Sequence, residues 1–176
     1  MPRSTTTATF PMASFFAWLG QFQWIRKPPL WDSQTIFRTD VQLSNAPLLS
    51  LEQMAVGGRY SVRGYRENQM VRDNAVVSSI EWRIPVITEK SWADVVQLAP
   101  FVDYGRAWNI TTETPYPDDL TSVGIGLRWE RRMKSPDTLY PQFEIYWGFP
   151  LRDIDADSDW DLQDAGIHFQ FSLAMF

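Results

Sequence analysis

The chain has 176 residues, a formal net charge of −5, no cysteine, one histidine and 15% aromatic residues, nine of them tryptophan. That excludes a disulfide framework or thiolate metal site and leaves little for a histidine-based metal centre or triad. The acidic balance, with no standout basic block, also argues against a nucleic-acid partner.

Hydrophobic residues make up 44% of the chain, yet mean hydropathy is −0.28, as expected if apolar and polar residues alternate. No apolar run approaches the roughly 18 residues of a membrane helix, so any membrane span must be built from strands of about 9–11 residues. Residues 1–9 have no apolar stretch or cleavage site, so no signal peptide is expected there.

Alternation begins at Phe15 and runs to Trp24. Phe16, Trp18, Gly20, Phe22 and Trp24 share one parity, and Lys27-Pro28-Pro29 ends the strand. A second strand covers Thr35 to Leu43. Its Phe37, Thr39, Val41 and Leu43 alternate with Ile36, Arg38, Asp40 and Gln42. The pattern then breaks over residues 45–74, a long polar loop containing Gly57, Gly58 and Gly64. Loops of that length are usually functional or disordered.

Alternation returns from Val76 to Ile84, where Ser78 interrupts the apolar face. It continues from Val95 to Trp108, with Ala99, Phe101, Asp103 and Gly105 assigned inward. Ser122 to Glu130, Pro141 to Gly148 and Gly166 to Phe176 complete about seven strands. The pattern predicts an all-β antiparallel sheet and by itself leaves two architectures open, because a soluble sandwich also alternates. Three details favour a transmembrane β-barrel: tryptophans near strand ends (Trp24, Trp82, Trp108, Trp129, Trp147), charges and glycines on the opposite faces, and a terminal aromatic, Phe176. About seven strands would leave open edges in lipid, so residues 1–176 are expected to be the C-terminal part of a larger barrel.

The loop reads Ser50-Leu51-Glu52-Gln53-Met54-Ala55-Val56-Gly57-Gly58-Arg59-Tyr60-Ser61-Val62-Arg63-Gly64-Tyr65. It resembles the Val-Arg-Gly-Tyr loop of the two-partner secretion transporters, the TpsB family of FhaC/ShlB/HecB type, within the superfamily that includes BamA-like barrel insertases. Phe101-Val102-Asp103-Tyr104-Gly105 resembles that family's Phe-x-Asp-x-Gly strand, and Glu81-Trp82-Arg83-Ile84-Pro85 the strand after the loop. The resemblance runs from about Phe15 to Phe176.

What the resemblance implies is an outer-membrane pore of type V secretion, with POTRA domains upstream of the barrel. Its partners would be a secreted adhesin- or haemolysin-like protein, outer-membrane lipid, and the barrel-assembly machinery that reads Phe176. No cofactor, metal or enzymatic activity is implied. A BamA-like insertase and a soluble, aromatic-rich glycan-binding sandwich are the alternatives.

The resemblance also pairs Arg63 with Asp103 inside the barrel, with Glu81 a second possible partner. A guanidinium suits bidentate pairing with a carboxylate. Gly64 would allow the tight turn at the loop tip, Gly105 would make room beside Asp103, and Tyr65 would pack on the wall. His168 is read as an ordinary inward polar residue, and the alternating acids from Asp153 to Asp161 as a solvated loop rather than a Ca²⁺ site. Phe176 falls on the parity of His168 and Gln170, so either the last residues bulge or Met175 takes the lipid-facing place.

Overall fold

The computed structural model describes residues 15–134, 138–152, 154 and 162–175. Phe176, Trp160 and the acids Asp153, Asp155, Asp157, Asp159 and Asp161 lie outside the described residues.

Among the described residues ten strands follow in chain order: β1 (Ala17–Arg26), β2 (Gln34–Ser44), β3 (Met54–Val56), β4 (Met70–Arg72), β5 (Asn74–Lys90), β6 (Ala93–Trp108), β7 (Asp119–Glu130), β8 (Met133–Lys134), β9 (Thr138–Pro150) and β10 (Ile167–Met175). The seven long strands form one antiparallel sheet in the order β1-β2-β5-β6-β7-β9-β10, curled as part of a barrel, with the short β8 pairing on β9. A sandwich would need a second sheet packed about 10 Å away face to face. The other sheet among the described residues is the β3–β4 hairpin, which belongs to the long loop.

Each strand expected from alternation is present; β1 is shifted two residues along the chain, β10 is described from Ile167 to Met175, and the other five run longer than expected. β5 continues past Ile84 through Pro85 to Lys90, and its pairing with β6 shifts between Pro85 and Ile87. A proline has no N–H for the ladder, and the irregularity falls where that donor is missing. The ladder of β10 on β9 runs without a shift from Ile167–Trp147 to Met175–Leu139. Met175 therefore shares the outer face with Phe169, Phe171 and Leu173, and no bulge precedes it.

The two faces differ as alternation requires. Phe22, Ile80, Val102, Ile125, Phe143, Ile145, Phe169 and Phe171 all stand exposed on the outer face. That apolar belt is what a lipid-facing barrel wall presents. Thr39 and Ser78 interrupt it, but they are register partners. The Thr39 hydroxyl lies 2.8 Å from that of Ser78 and 2.9 Å from the Val77 carbonyl, so the polar atoms satisfy one another.

Tryptophans gather toward both rims, where an apolar ring with one polar N–H is well placed. Three of their indole N–H groups bond rim segments: Trp82 to Ser33 Oγ at 2.9 Å, Trp129 to the Trp92 carbonyl at 3.1 Å and Trp147 to the Ala165 carbonyl at 3.1 Å. One rim has the short connections 27–33 and 91–92. The other has the long ones, 45–73, 109–118 and 151–166.

The buried apolar core lies where segment 45–73 folds onto the inner face. Val56, Val62, Tyr65 and Met70 of this segment pack with Ala75, Val77, Ala107 and Leu120 of the wall. At its base, Asp73 collects three donors: the Leu48 N–H at 2.9 Å, the Gln53 side-chain amide at 3.0 Å and the Ile110 N–H at 3.0 Å.

Candidate functional site

The register sorts the inner face into rows. Ser79, Asp103 and Ser122 form one row; Glu81, Phe101, Gly124 and Gly148 form the next. Beyond them lie Gly126, Tyr146 and His168, and then Arg128, Glu144 and Gln170. Five strands thus deliver carboxylates, hydroxyls and rings to a patch that residues 57–65 cover.

Arg63 sits at the centre of that patch, 6% exposed. Its Nε donates to Asp103 Oδ2 at 2.8 Å and its Nη2 to Asp103 Oδ1 at 2.9 Å, a bidentate pair. The Arg63 backbone N–H donates to Asp103 Oδ2 at 3.0 Å, and Ser79 Oγ donates to Oδ1 at 2.5 Å. Nη1 bonds Glu81, and Nη2 also reaches Ser79 Oγ at 3.1 Å. The guanidinium carbon stands 3.6 Å from the centre of the Phe101 ring and 4.8 Å from that of Tyr146.

Such a charge is costly to bury unless every donor is met. Burial pulls the Arg63 pKa down, but the bonds and charge of Asp103, and then of Glu81, more than offset this and raise it. Arg63 remains a cation. Glu81 has a second cation in Arg83, whose Nε lies at 2.6 Å.

The structure places each residue singled out from the sequence. Val62 is fully buried under the loop, and Tyr65 is buried with its hydroxyl donating to the Thr121 carbonyl at 2.8 Å. Gly57, Gly58 and Gly64 have φ of 115°, 94° and 97°, a left-handed region that side chains rarely adopt. Gly105 has a different neighbour from the one expected. A Cβ there would stand 2.6 Å from Val56 Cγ1 and 2.7 Å from Val62 Cγ2, so it makes room for the loop's valines rather than for Asp103. Phe176 is outside the described residues.

Several residues of the patch are not evident from motifs. The Gly64 N–H donates to His168 Nε2 at 3.2 Å, which makes this histidine a specific acceptor rather than an ordinary lumenal polar group. Gly148 meets the backbone of Arg63 and Gly64 directly. Arg128 faces inward and is buried, bonding the Tyr146 hydroxyl at 2.9 Å and Glu144 at 2.6 Å. The inward pair Gly124 and Gly126 was a usable signal. A Cβ at either would strike the Phe101 or Tyr146 ring, so the glycines mark where aromatic side chains cross close over the wall.

Among the described residues, no group of three or more His, Cys, Asp and Glu gathers to hold a metal. The patch holds the loop tip against the inner face of the sheet. A curled antiparallel sheet, apolar outside and charged within, with a long connection docked on its inner face, defines the class: a membrane β-barrel wall with an inserted loop. The sequence matches the haemolysin secretion/activation protein family ShlB/FhaC/HecB over residues 2–129, and the chain belongs to that family. Among solved structures it is similar in fold to BamA from Haemophilus ducreyi lacking POTRA domains 1–3, with a TM-score of 0.63 and 17% identity. The alignment covers 92% of this chain and 35% of that one, so the chain spans about a third of the relative's length. No curated protein matches the sequence.

Proposed function

We propose that this sheet forms part of the wall of a protein-translocating pore in the bacterial outer membrane, which secretes a partner protein by the two-partner route. The loop is its latch, held by Arg63 on Asp103 and Glu81. Family membership supports the transport role. The observation that carries the latch is one buried guanidinium held by carboxylates on two neighbouring strands, with the Ser79 hydroxyl beside them. A loop held by one such cluster has two discrete positions, docked and released, because a partly broken buried network is worse than either. The partner is an extended adhesin- or haemolysin-like polypeptide crossing before it folds.

A charge-swap cycle tests this in the membrane-inserted protein. Arg63→Asp and Asp103→Arg are each expected to stop secretion, and the double swap to restore it. Heat-modifiable electrophoretic migration monitors barrel folding. Normal secretion by both single swaps in a folded barrel would reject the latch. Defective assembly of other outer-membrane barrels, with partner secretion intact, would instead favour a BamA-like insertase.

A further inference from the structure

Arg63 holds the loop to the middle of the sheet, but a second set of contacts holds it to β10. Among the described residues, β10 has a single ladder partner, β9. Its inward residues His168 and Gln170 both meet the loop. Gln170 Oε1 accepts from Arg59 Nε at 2.7 Å and from the Tyr60 hydroxyl at 2.9 Å, while His168 Nε2 accepts from the Gly64 N–H. Arg59 Nη2 pairs with Glu144 of β9, both side chains being 13% exposed, and Glu144 in turn holds Arg128 of β7.

The two arginine sites are mechanically joined. The Gly58 N–H bonds the Val62 carbonyl at 3.1 Å, and Ser61 Oγ and the Gly57 backbone exchange bonds of 2.8 Å in both directions. The stretch between Arg59 and Arg63 is thus a closed turn rather than a slack tether. The Tyr146 ring stands between the guanidiniums, 5.3 Å from that of Arg59 and 4.8 Å from that of Arg63.

We propose that Arg59 and His168 form a second anchor, which ties strand β10 to the docked loop and makes both of them positioning residues for Arg63. This rests on the reading of Arg63 as the latch. Arg59 serves two acceptors on two strands with different nitrogens of one planar fork, Nε to Gln170 and Nη2 to Glu144. A lysine keeps the charge but cannot span both. His168 must present an unprotonated Nε2 to receive the Gly64 N–H, and a phenylalanine keeps the ring without the acceptor. Loss of either frees β10 from the inside while its ladder with β9 stays intact.

Backbone hydrogen exchange of the membrane-inserted protein reads this directly. Arg59→Lys and His168→Phe are each expected to speed exchange across residues 167–175 by about tenfold and to leave residues 93–108 unchanged. Gln170→Ala combined with Arg59→Lys is expected to fall short of the sum of the two single effects, because both remove the Arg59–Gln170 bond while only Gln170→Ala also removes the one from Tyr60. If Arg59→Lys fails to fold, Gln170→Ala alone carries the measurement. Unchanged exchange in β10, or equal acceleration in β6, would overturn the second anchor. A normal-secretion result in the Arg63–Asp103 swaps, with exchange in β10 still accelerated by Arg59→Lys, would leave the anchor standing as a contact and reject the latch alone.

Discussion

Gly64 and Gly148 meet backbone to backbone: a Cβ on Gly148 would lie 2.6 Å from Gly64 N and 2.7 Å from Gly64 Cα and the Arg63 carbonyl carbon. Those atoms belong to main chain pinned by Asp103 and His168, so they cannot give way as a flexible side chain could. Gly148→Ala is therefore expected to lift the loop tip off the wall while β9 stays paired. Limited proteolysis within residues 57–68 checks it, with faster cleavage of the variant at unchanged heat-modifiability. Equal cleavage rates would mean that the tip tolerates the methyl and that the close approach is incidental.

Removing Arg63 strands two carboxylates rather than one. Asp103 is fully buried, and Glu81 keeps the ion pair with Arg83. Breaking a buried pair from one side costs about 3–5 kcal/mol, and Arg63→Met is expected to fall in that range. Glu81→Gln should cost less, because the Asp103 fork survives and Arg63 keeps its bidentate partner. Urea unfolding in lipid vesicles checks the order. If the Glu81 variant is the less stable of the two, Glu81 rather than Asp103 is the main partner.

Asp73 gives the loop base a pH dependence of known sign. Burial pushes its carboxyl pKa up, but the hydrogen bonds from Gln53, Leu48 and Ile110 outweigh this and hold it below the ordinary value. A depressed carboxylate contributes stability that is fully present above its unfolded pKa, about 3.9 for Asp, and lost as pH falls through the lower folded value. Acidification from pH 5 to pH 2 is expected to loosen the contacts of residues 48, 53 and 110, and Asp73→Asn to loosen them already at pH 7. Exchange of the Leu48 and Ile110 amides over that range is the measurement. A wild type and Asn variant with the same profile would show that the three donors do not need the charge.

The strands were legible because a barrel wall has a different solvent on each side, and a period of two records that contrast residue by residue. The same contrast identified Asp103 and Glu81 as inward. The loop's own structure was not legible that way. Val56 and Met70 are buried by a short hairpin packing against Ala107 and Leu120, and no periodicity announces a contact between segments so far apart. Gly148 and Gly166 share the difficulty. A glycine on or beside a strand is visible, but its reason, a second backbone too close for any Cβ, lies in another segment. His168 and Arg59 were readable as inward or polar and no further, since their roles depend on which loop atom arrives opposite them.

Thr39 and Ser78 allow a test of the outer face that is independent of the loop. Both are hydroxyls on a wall otherwise built of apolar side chains, and in hydrocarbon an unmet donor has no water to fall back on. Their roles are unequal. Thr39 lies within reach of both Ser78 Oγ and the Val77 carbonyl, whereas the side-chain partner recorded for Ser78 is Thr39. Ser78→Ala leaves the Thr39 hydroxyl its carbonyl acceptor and is expected to be near neutral. Thr39→Val leaves the Ser78 hydroxyl unmatched and is expected to cost about 1–3 kcal/mol. The double variant, with no hydroxyl left to satisfy, should recover most of that loss. Unfolding free energies of the four proteins in lipid vesicles decide the matter. A Thr39→Val protein as stable as the parent would mean that water or headgroups reach this level of the wall, and that the belt facing hydrocarbon is narrower than the apolar strand faces imply.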